Sequence, residues 1–223
     1  MTTLVVTAVA AERDAAVGRL GEAKPAADLP YPAVTVGDVI AVASGVGPVA
    51  AAVATSRLLS LLGGVDLVIA AGIAGGFAGR TSVGNVVVSR VVEFADLGAA
   101  TDDGFLDLTG LGLGGGGPLP SPRCAAIREA LAVAGLHPQV GTVLTLATMT
   151  GTDARAAALA DAHPNAVAEA MEGYGVAWAA AEHGVPWVEV RTISNLIGRR
   201  DRSSWDIPAA MESLGAAVAA VGR

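Results

Sequence analysis

Short apolar runs alternate with alanine-rich stretches along the whole chain, the pattern of a layered α/β domain in which helices cover strands. Leu4–Ala10 reads as a first buried strand, followed by a short helix through Leu20. Ala33–Val36 and Val39–Ser44 read as a hairpin turned at Gly37-Asp38. Pro48 opens a helix to about Leu62, because the N–H that proline lacks would have no partner in a first turn. Asp66–Ala71 and Asn85–Phe94 are further strands. Ser121-Pro122 starts a helix that Gly135 closes, with Pro138 just beyond. Val140–Ala147 and Ala166–Met171 are strands, and Gly173–His183 is a helix ended by Gly184. Pro186 introduces the last strand, and the final helix sets Ile207, Met211, Leu214, Val218 and Val221 in one apolar stripe. No element is predicted from Gly98 to Pro120, and so long a loop is either functional or disordered.

At 223 residues the chain can bury a sizeable core, and one domain over 1–223 is expected. Hydrophobic residues make up 52% of it and charged residues 16%, a balance that points to some surface covered in an oligomer. The net charge of −7 argues against a nucleic-acid partner, which would need a basic face, and leaves a small-molecule substrate open. Cys124 stands alone and His137, His163 and His183 lack metal-ligand spacing, so neither a disulfide framework, a metal nor a cofactor is indicated. The N-terminal apolar run has no basic region before it and meets Glu12-Arg13-Asp14 at once, so it reads as a strand and not a signal peptide. No apolar run approaches the roughly 18 residues of a membrane span. A soluble, cytoplasmic protein with no membrane partner is expected.

The candidate chemistry gathers at strand ends, where ligands bind in open α/β sheets. Ser44-Gly-Val-Gly-Pro-Val-Ala50 matches a dinucleotide fingerprint formally, but it does not follow the first strand, and Asp66 begins a strand where the fingerprint needs an acid at a strand end. Ala71-Gly-Ile-Ala-Gly-Gly-Phe77 is a second glycine turn, without the Lys-Ser/Thr of a phosphate loop; it either lets a ring or sugar lie close to backbone or is a tight strand exit. Glu12 sits just past the first strand, either facing a pocket or favouring a helix N-terminus. Glu172, at a strand–helix junction beside Met171, either accepts from a vicinal diol or caps the helix. The last strand runs straight into Arg191, Ser194 and Asn195.

Together these segments resemble the nucleoside phosphorylase/nucleosidase superfamily, in its methylthioadenosine/adenosylhomocysteine nucleosidase branch. The pieces are Ala8-x-x-x-Glu12, Ser44-Gly-Val-Gly, Ala71-Gly-Ile-Ala-Gly-Gly, Met171-Glu172 and Arg191-Thr-Ile-Ser-Asn195, in family order and near family spacing. The resemblance implies a three-layer α/β/α sandwich with a central mixed β-sheet, forming homodimers or larger homo-oligomers. It implies that Glu12 positions and deprotonates a water with help from Arg191, that Met171 packs on ribose, and that Glu172 binds the 2′ and 3′ hydroxyls. Ala74 and Gly75 would line the sugar and Ser194 would lie near the base. Ala147-Thr-Met-Thr-Gly-Thr152 corresponds to the base-stacking stretch, without the usual aromatic and with Thr152 at the substrate.

The departures carry the substrate reading. The family acid is replaced by Asn195, whose amide NH2 can donate to both O6 and N7 of a 6-oxopurine, whereas a protonated acid matches the amino group and N7 of adenine. Asn195 would then stabilise charge on the leaving base by hydrogen bonding. Ile73 stands where a serine is common, and Ala170 replaces a second acid; Glu169, one place off, is expected to face the other side of its strand. No arginine precedes the second glycine cluster and Glu12 would repel phosphate, so hydrolysis is expected over phosphorolysis. Ser-Asn followed by Gly198-Arg-Arg200-Asp-Arg202 also resembles a subgroup that acts on an inosine derivative bearing a 5′ aryl carboxylate. Arg200 and Trp205 would meet that group, or else form a solvated charge cluster. A methylthioadenosine nucleosidase with an unusual base contact and a non-catalytic nucleoside binder remain as alternatives.

Overall fold

Strand and helix alternate from the start, as the apolar pattern requires. The first half runs β1 (Thr3–Thr7), α1 (Ala10–Val17), β2 (Lys24–Pro25), β3 (Ala33–Val36), β4 (Val39–Ala43), α2 (Pro48–Leu62), β5 (Leu67–Gly76) and β6 (Val86–Phe94). There follow β7 (Gly98–Thr101), β8 (Gly104–Asp107), β9 (Leu119–Pro120), α3 (Cys124–Val133), β10 (Gln139–Thr145) and α4 (Asp153–Ala162). The chain ends with β11 (Ala166–Ala170), α5 (Gly173–Glu182), β12 (Trp187–Leu196) and α6 (Ile207–Val221). The structure, a computed structural model, describes residues 1–102 and 104–222.

The strands form a mixed sheet in the order β11-β10-β6-β12-β5-β1-β4-β3-β2. Its centre, β4-β1-β5-β12, is parallel and buried on both faces, while β6 runs antiparallel to β12. On one face α1, α3 and α6 pack over Val5, Ile69, Val88 and Val190; on the other α2 and α5 pack over Leu4, Val68 and Trp187. The architecture is a three-layer α/β/α sandwich. The end of β5 bends until Gly75 and Gly76 pair with Glu169 and Ala168 of β11. That pairing closes β11, β10, β6, β12 and β5 into a ring filled by aliphatic side chains such as Ala74, Val143, Ala168 and Ile193.

Several boundaries differ from the sequence reading. The first strand stops at Thr7, because the Glu12 carboxylate accepts the N–H groups of Ala8 (3.1 Å) and Val9 (3.4 Å) and turns the chain into α1. The second glycine cluster is not a turn but the continuation of β5. A Cβ at Gly75 would lie 2.6 Å from Ile197 and one at Gly76 2.5 Å from Thr81, so only glycine lets the strand bend into that space. Helix α4 went unpredicted because Leu159 alone is buried and no apolar stripe marks it. The expected loop from Gly98 to Pro120 contains the β7–β8 hairpin and the short β9, which pairs with β6; its residue 103 lies outside the described residues. Among the described residues no helix is long and apolar enough to cross a membrane.

Candidate active site

The C-terminal ends of β1, β5, β11 and β12 converge on a cavity of about 260 Å³. It draws residues distant in sequence to one place, including Glu12, Ile73, Gly75, Glu172, Asn195 and Trp205. Ala74, Met171, Ser194 and Arg200 also line it.

Glu12 occupies one wall and is 5% exposed. Its Oε1 accepts the Ile73 N–H at 2.9 Å, which ties α1 to the bend in β5. Gly72 makes this possible, since a Cβ there would lie 2.6 Å from Glu12 Oε1 and 2.7 Å from Arg191 Nη1. Burial pushes the Glu12 carboxyl above its ordinary value, only partly countered by the Arg191 charge and the backbone N–H groups. A carboxylate so placed is a base with more affinity for a proton than an exposed glutamate.

Glu172 lies at the start of α5 and is braced from behind. Its Oε1 accepts the N–H of Gly47, at the N-terminus of α2, at 3.1 Å, and its Oε2 accepts from Arg191 at 3.3 Å. Arg191 does not line the cavity and is 1% exposed; its Nε donates to Glu189 at 2.7 Å. Burial works against the Arg191 charge, yet Glu189, Glu172 and Glu12 together hold its pKa above the ordinary arginine value. Glu189 is fully buried, which raises its pKa, and its Oε2 has no hydrogen-bond partner among the described residues. A Cβ at Gly173 would overlap that carboxylate, so glycine is required where α5 starts.

The opposite wall is polar and differs from expectation. A β-bulge in β12 between Ile193 and Asn195 breaks the alternation of its side chains, so Ser194 and Asn195 both line the cavity. Ser194 Oγ donates to Asn195 Oδ1 at 2.8 Å, and Asn195 Nδ2 donates to the Leu196 carbonyl at 3.1 Å. Glu169, expected on the far side of its strand, faces the cavity instead, because β11 pairs with the bent end of β5. Its carboxylate accepts the Thr150 N–H at 2.9 Å and the Thr150 hydroxyl at 2.5 Å. Thr152 is not in the cavity lining; it caps α4, accepting the Arg155 N–H at 3.2 Å. Met149 and Thr150 of the same segment take its place in the lining.

At the mouth, Arg200 lies 5.0 Å from the Trp205 ring centroid in a cation–π contact, and both side chains border the cavity. Ala8, Val9, Val46, Met149, Thr150 and Glu169 line it without having been predicted. Ala8, Val46, Met149 and Thr150 carried a signal, their places inside the Ala8-x-x-x-Glu12, Ser44-Gly-Val-Gly and 147–152 segments. Among the described residues no group of His, Cys, Asp and Glu is arranged to hold a metal ion.

Residues 1–223 match the Phosphorylase superfamily. The chain is similar to the futalosine hydrolase of Streptomyces coelicolor, with 48% identity over 233 residues covering 100% of this chain and 94% of the relative. It is similar to the futalosine hydrolase of Acidothermus cellulolyticus, with 45% identity over 224 residues covering 98% and 89%. Its fold is similar to a 5′-methylthioadenosine/S-adenosylhomocysteine nucleosidase of Colwellia psychrerythraea, solved in complex with adenine. That match has a TM-score of 0.80 at 26% identity, over 100% of this chain and 95% of the other.

Proposed function

The chain belongs to the Phosphorylase superfamily, and from that premise we propose that it hydrolyses the N-glycosidic bond of futalosine, releasing hypoxanthine and dehypoxanthine futalosine. The observation that carries the reading is a cavity uniting Glu12, Glu172 and Asn195, in a chain similar over its whole length to futalosine hydrolases. In the group it resembles, this is a step of menaquinone biosynthesis. A cytoplasmic location is part of the proposal, since the free Cys124 fits a reducing compartment.

Glu12 is the general base. The oxygen of a water bonds to the anomeric carbon as the C1′–N9 bond breaks, the bonding electrons leave with the base, and the water's proton passes to Glu12. Glu172 accepts from the ribose 2′ and 3′ hydroxyls, with Met171 against the sugar and the Ile73-Ala74-Gly75 backbone beneath it. Arg191 acts on Glu172 from behind. Asn195, held by Ser194, donates to the leaving base and stabilises its developing charge. The base then takes up a proton, which closes the balance.

Water suits this cavity better than phosphate. Glu12, Glu169 and Glu172 line it, and Arg191 is already engaged by Glu189 and Glu172, so a phosphate dianion would meet a negative wall. Arg200 and Trp205 meet the carboxylate and ring of the 5′ carboxyphenyl group. The chain works as a homodimer or larger homo-oligomer. Val49, Val53, Leu97 and Trp178 border an exposed apolar groove beside Val46 of the cavity, and sedimentation in solution would reveal a monomer if this is wrong.

The decisive experiment offers futalosine, inosine and methylthioadenosine together and identifies the free base released. Hypoxanthine from futalosine is expected; adenine as the main product would sink the reading.

A further inference from the structure

We propose that Glu169 reads the N1–H of the bound base, so that it and Asn195 together select a 6-oxopurine; the inference deepens the function proposed above and rests on it. Glu169, Gly75 and Asn195 stand in one row across three strands, Gly75 of β5 pairing with Glu169 of β11 on one side and with Asn195 of β12 on the other. Paired residues direct their side chains to the same face of a sheet. A Cβ placed on Gly75 would meet Ile197 Cγ2 at 2.6 Å, Glu169 Cγ at 3.4 Å and Asn195 Nδ2 at 3.6 Å, so the two polar side chains reach the cavity on either side of a glycine backed by Ile197. The carboxylate and the amide thus flank one glycine, and all three residues border the cavity.

The chemistry of this pair of side chains matches one edge of one kind of base. Along that edge a 6-oxopurine presents N7 as acceptor, O6 as acceptor and N1–H as donor. The Asn195 Nδ2 hydrogen not given to the Leu196 carbonyl serves these acceptors, and the N1–H needs a group that only accepts, which an ionised carboxylate is. A 6-aminopurine presents an acceptor at N1, which would set a lone pair against Glu169. The site therefore rejects adenine at two atoms, by an unmatched amide and by a repelled acceptor.

Thr150 fixes the carboxylate for this task. Its N–H and hydroxyl take one lone pair on each Glu169 oxygen, at 2.9 and 2.5 Å, and both are donors. An ionised carboxylate has about four acceptor positions, so one on each oxygen stays free for the base. Glu169 is 5% exposed, so a free acceptor position there gains from finding a donor on a ligand.

The test is calorimetric binding of free hypoxanthine, 1-methylhypoxanthine and adenine to the full-length chain and its Glu169→Gln and Glu169→Ala variants. The native protein is expected to bind hypoxanthine at least tenfold tighter than either other base. Glu169→Gln, whose amide can donate to N1, should shrink the hypoxanthine-to-adenine ratio at least tenfold, and Glu169→Ala should bring hypoxanthine and its 1-methyl form together. If all affinities fall in parallel with ratios unchanged, Glu169 only pins Thr150 and the inference is overturned. Should the variants not fold, equal binding of hypoxanthine and 1-methylhypoxanthine by the native protein overturns it alone. A native protein that selects hypoxanthine yet releases none from futalosine would leave this inference standing and remove the proposed reaction.

Discussion

Arg191 meets Glu172 at 3.3 Å from the protein side of the carboxylate, so the cation braces the group without facing the cavity. Its other partner, Glu189 at 2.7 Å, is buried beyond it. Removing the cation strands two carboxylates in the interior, and breaking a buried pair this way costs about 3–5 kcal/mol. Arg191→Leu should lose that much in urea unfolding. Arg191→Lys keeps the charge but not the fork that spans both partners, and should retain the fold while losing about tenfold or more in kcat/KM.

If Glu189 acts through Arg191, its removal matters only while Glu172 is there to be placed. Glu189→Gln and Glu172→Gln should each lower kcat/KM for futalosine, and the double variant should lose less than the product of the two. A coupling of about 0.5–3 kcal/mol is the range for residues in one network. Strict additivity would mean that Glu189 supports the fold alone.

The parts of this site that could be read from the chain are those set by local chemistry. Glu12, Glu172, Ser194 and Asn195 stand just beyond apolar runs, and strand ends are where α/β sheets bind ligands. What escaped depends on long-range closure. Glu169 follows the alternation of its strand, and only the pairing of β11 with a bent β5 turns it into the cavity. That bend rests on Gly75 giving way to Ile197, distant in sequence, and Gly76 to Thr81 in the loop that follows. Thr152 misled because a threonine before an aspartate is equally a helix cap, and α4 has too little buried surface to reveal itself. The sheet was legible from its apolar runs, the ring within it was not.

Glu12 can accept the water's proton only when ionised. Burial raises its pKa above the ordinary 4.5, so the acid limb of kcat/KM should lie above that value and fall about tenfold per pH unit below it. Glu12→Gln should lower kcat by about 10²–10⁴-fold and erase that limb. Stability follows the same shift. With the folded pKa above the unfolded one, the contribution of Glu12 is fully present below the unfolded pKa and is lost as pH rises through the folded pKa. Unfolding free energies of the native chain and Glu12→Gln should therefore move in favour of the variant as pH rises through that window. A difference independent of pH would remove the assignment of the shift to Glu12.

Asn195→Asp tests the base contact most directly, because it restores the acid expected at this position without changing size. The amide is oriented by its neighbours, with Ser194 donating to its oxygen at 2.8 Å and its Nδ2 donating to the Leu196 carbonyl at 3.1 Å. That leaves the second Nδ2 hydrogen for the base. An aspartate keeps the Ser194 bond but removes both donors, so an ionised carboxylate would face O6 and N7, acceptors opposite acceptors. Protonated, it could donate to only one of them, the arrangement that suits a 6-aminopurine. The variant should lose about 10²-fold or more in kcat/KM for futalosine, the order expected when a buried polar edge is mismatched. Its relative rate on adenine nucleosides should rise, as seen in a competition between futalosine and methylthioadenosine. With Glu169 still in place the adenine rate should stay low in absolute terms, and only Asn195→Asp combined with Glu169→Gln should raise it. An unchanged product ratio in the single variant would mean that the base does not lie against Asn195.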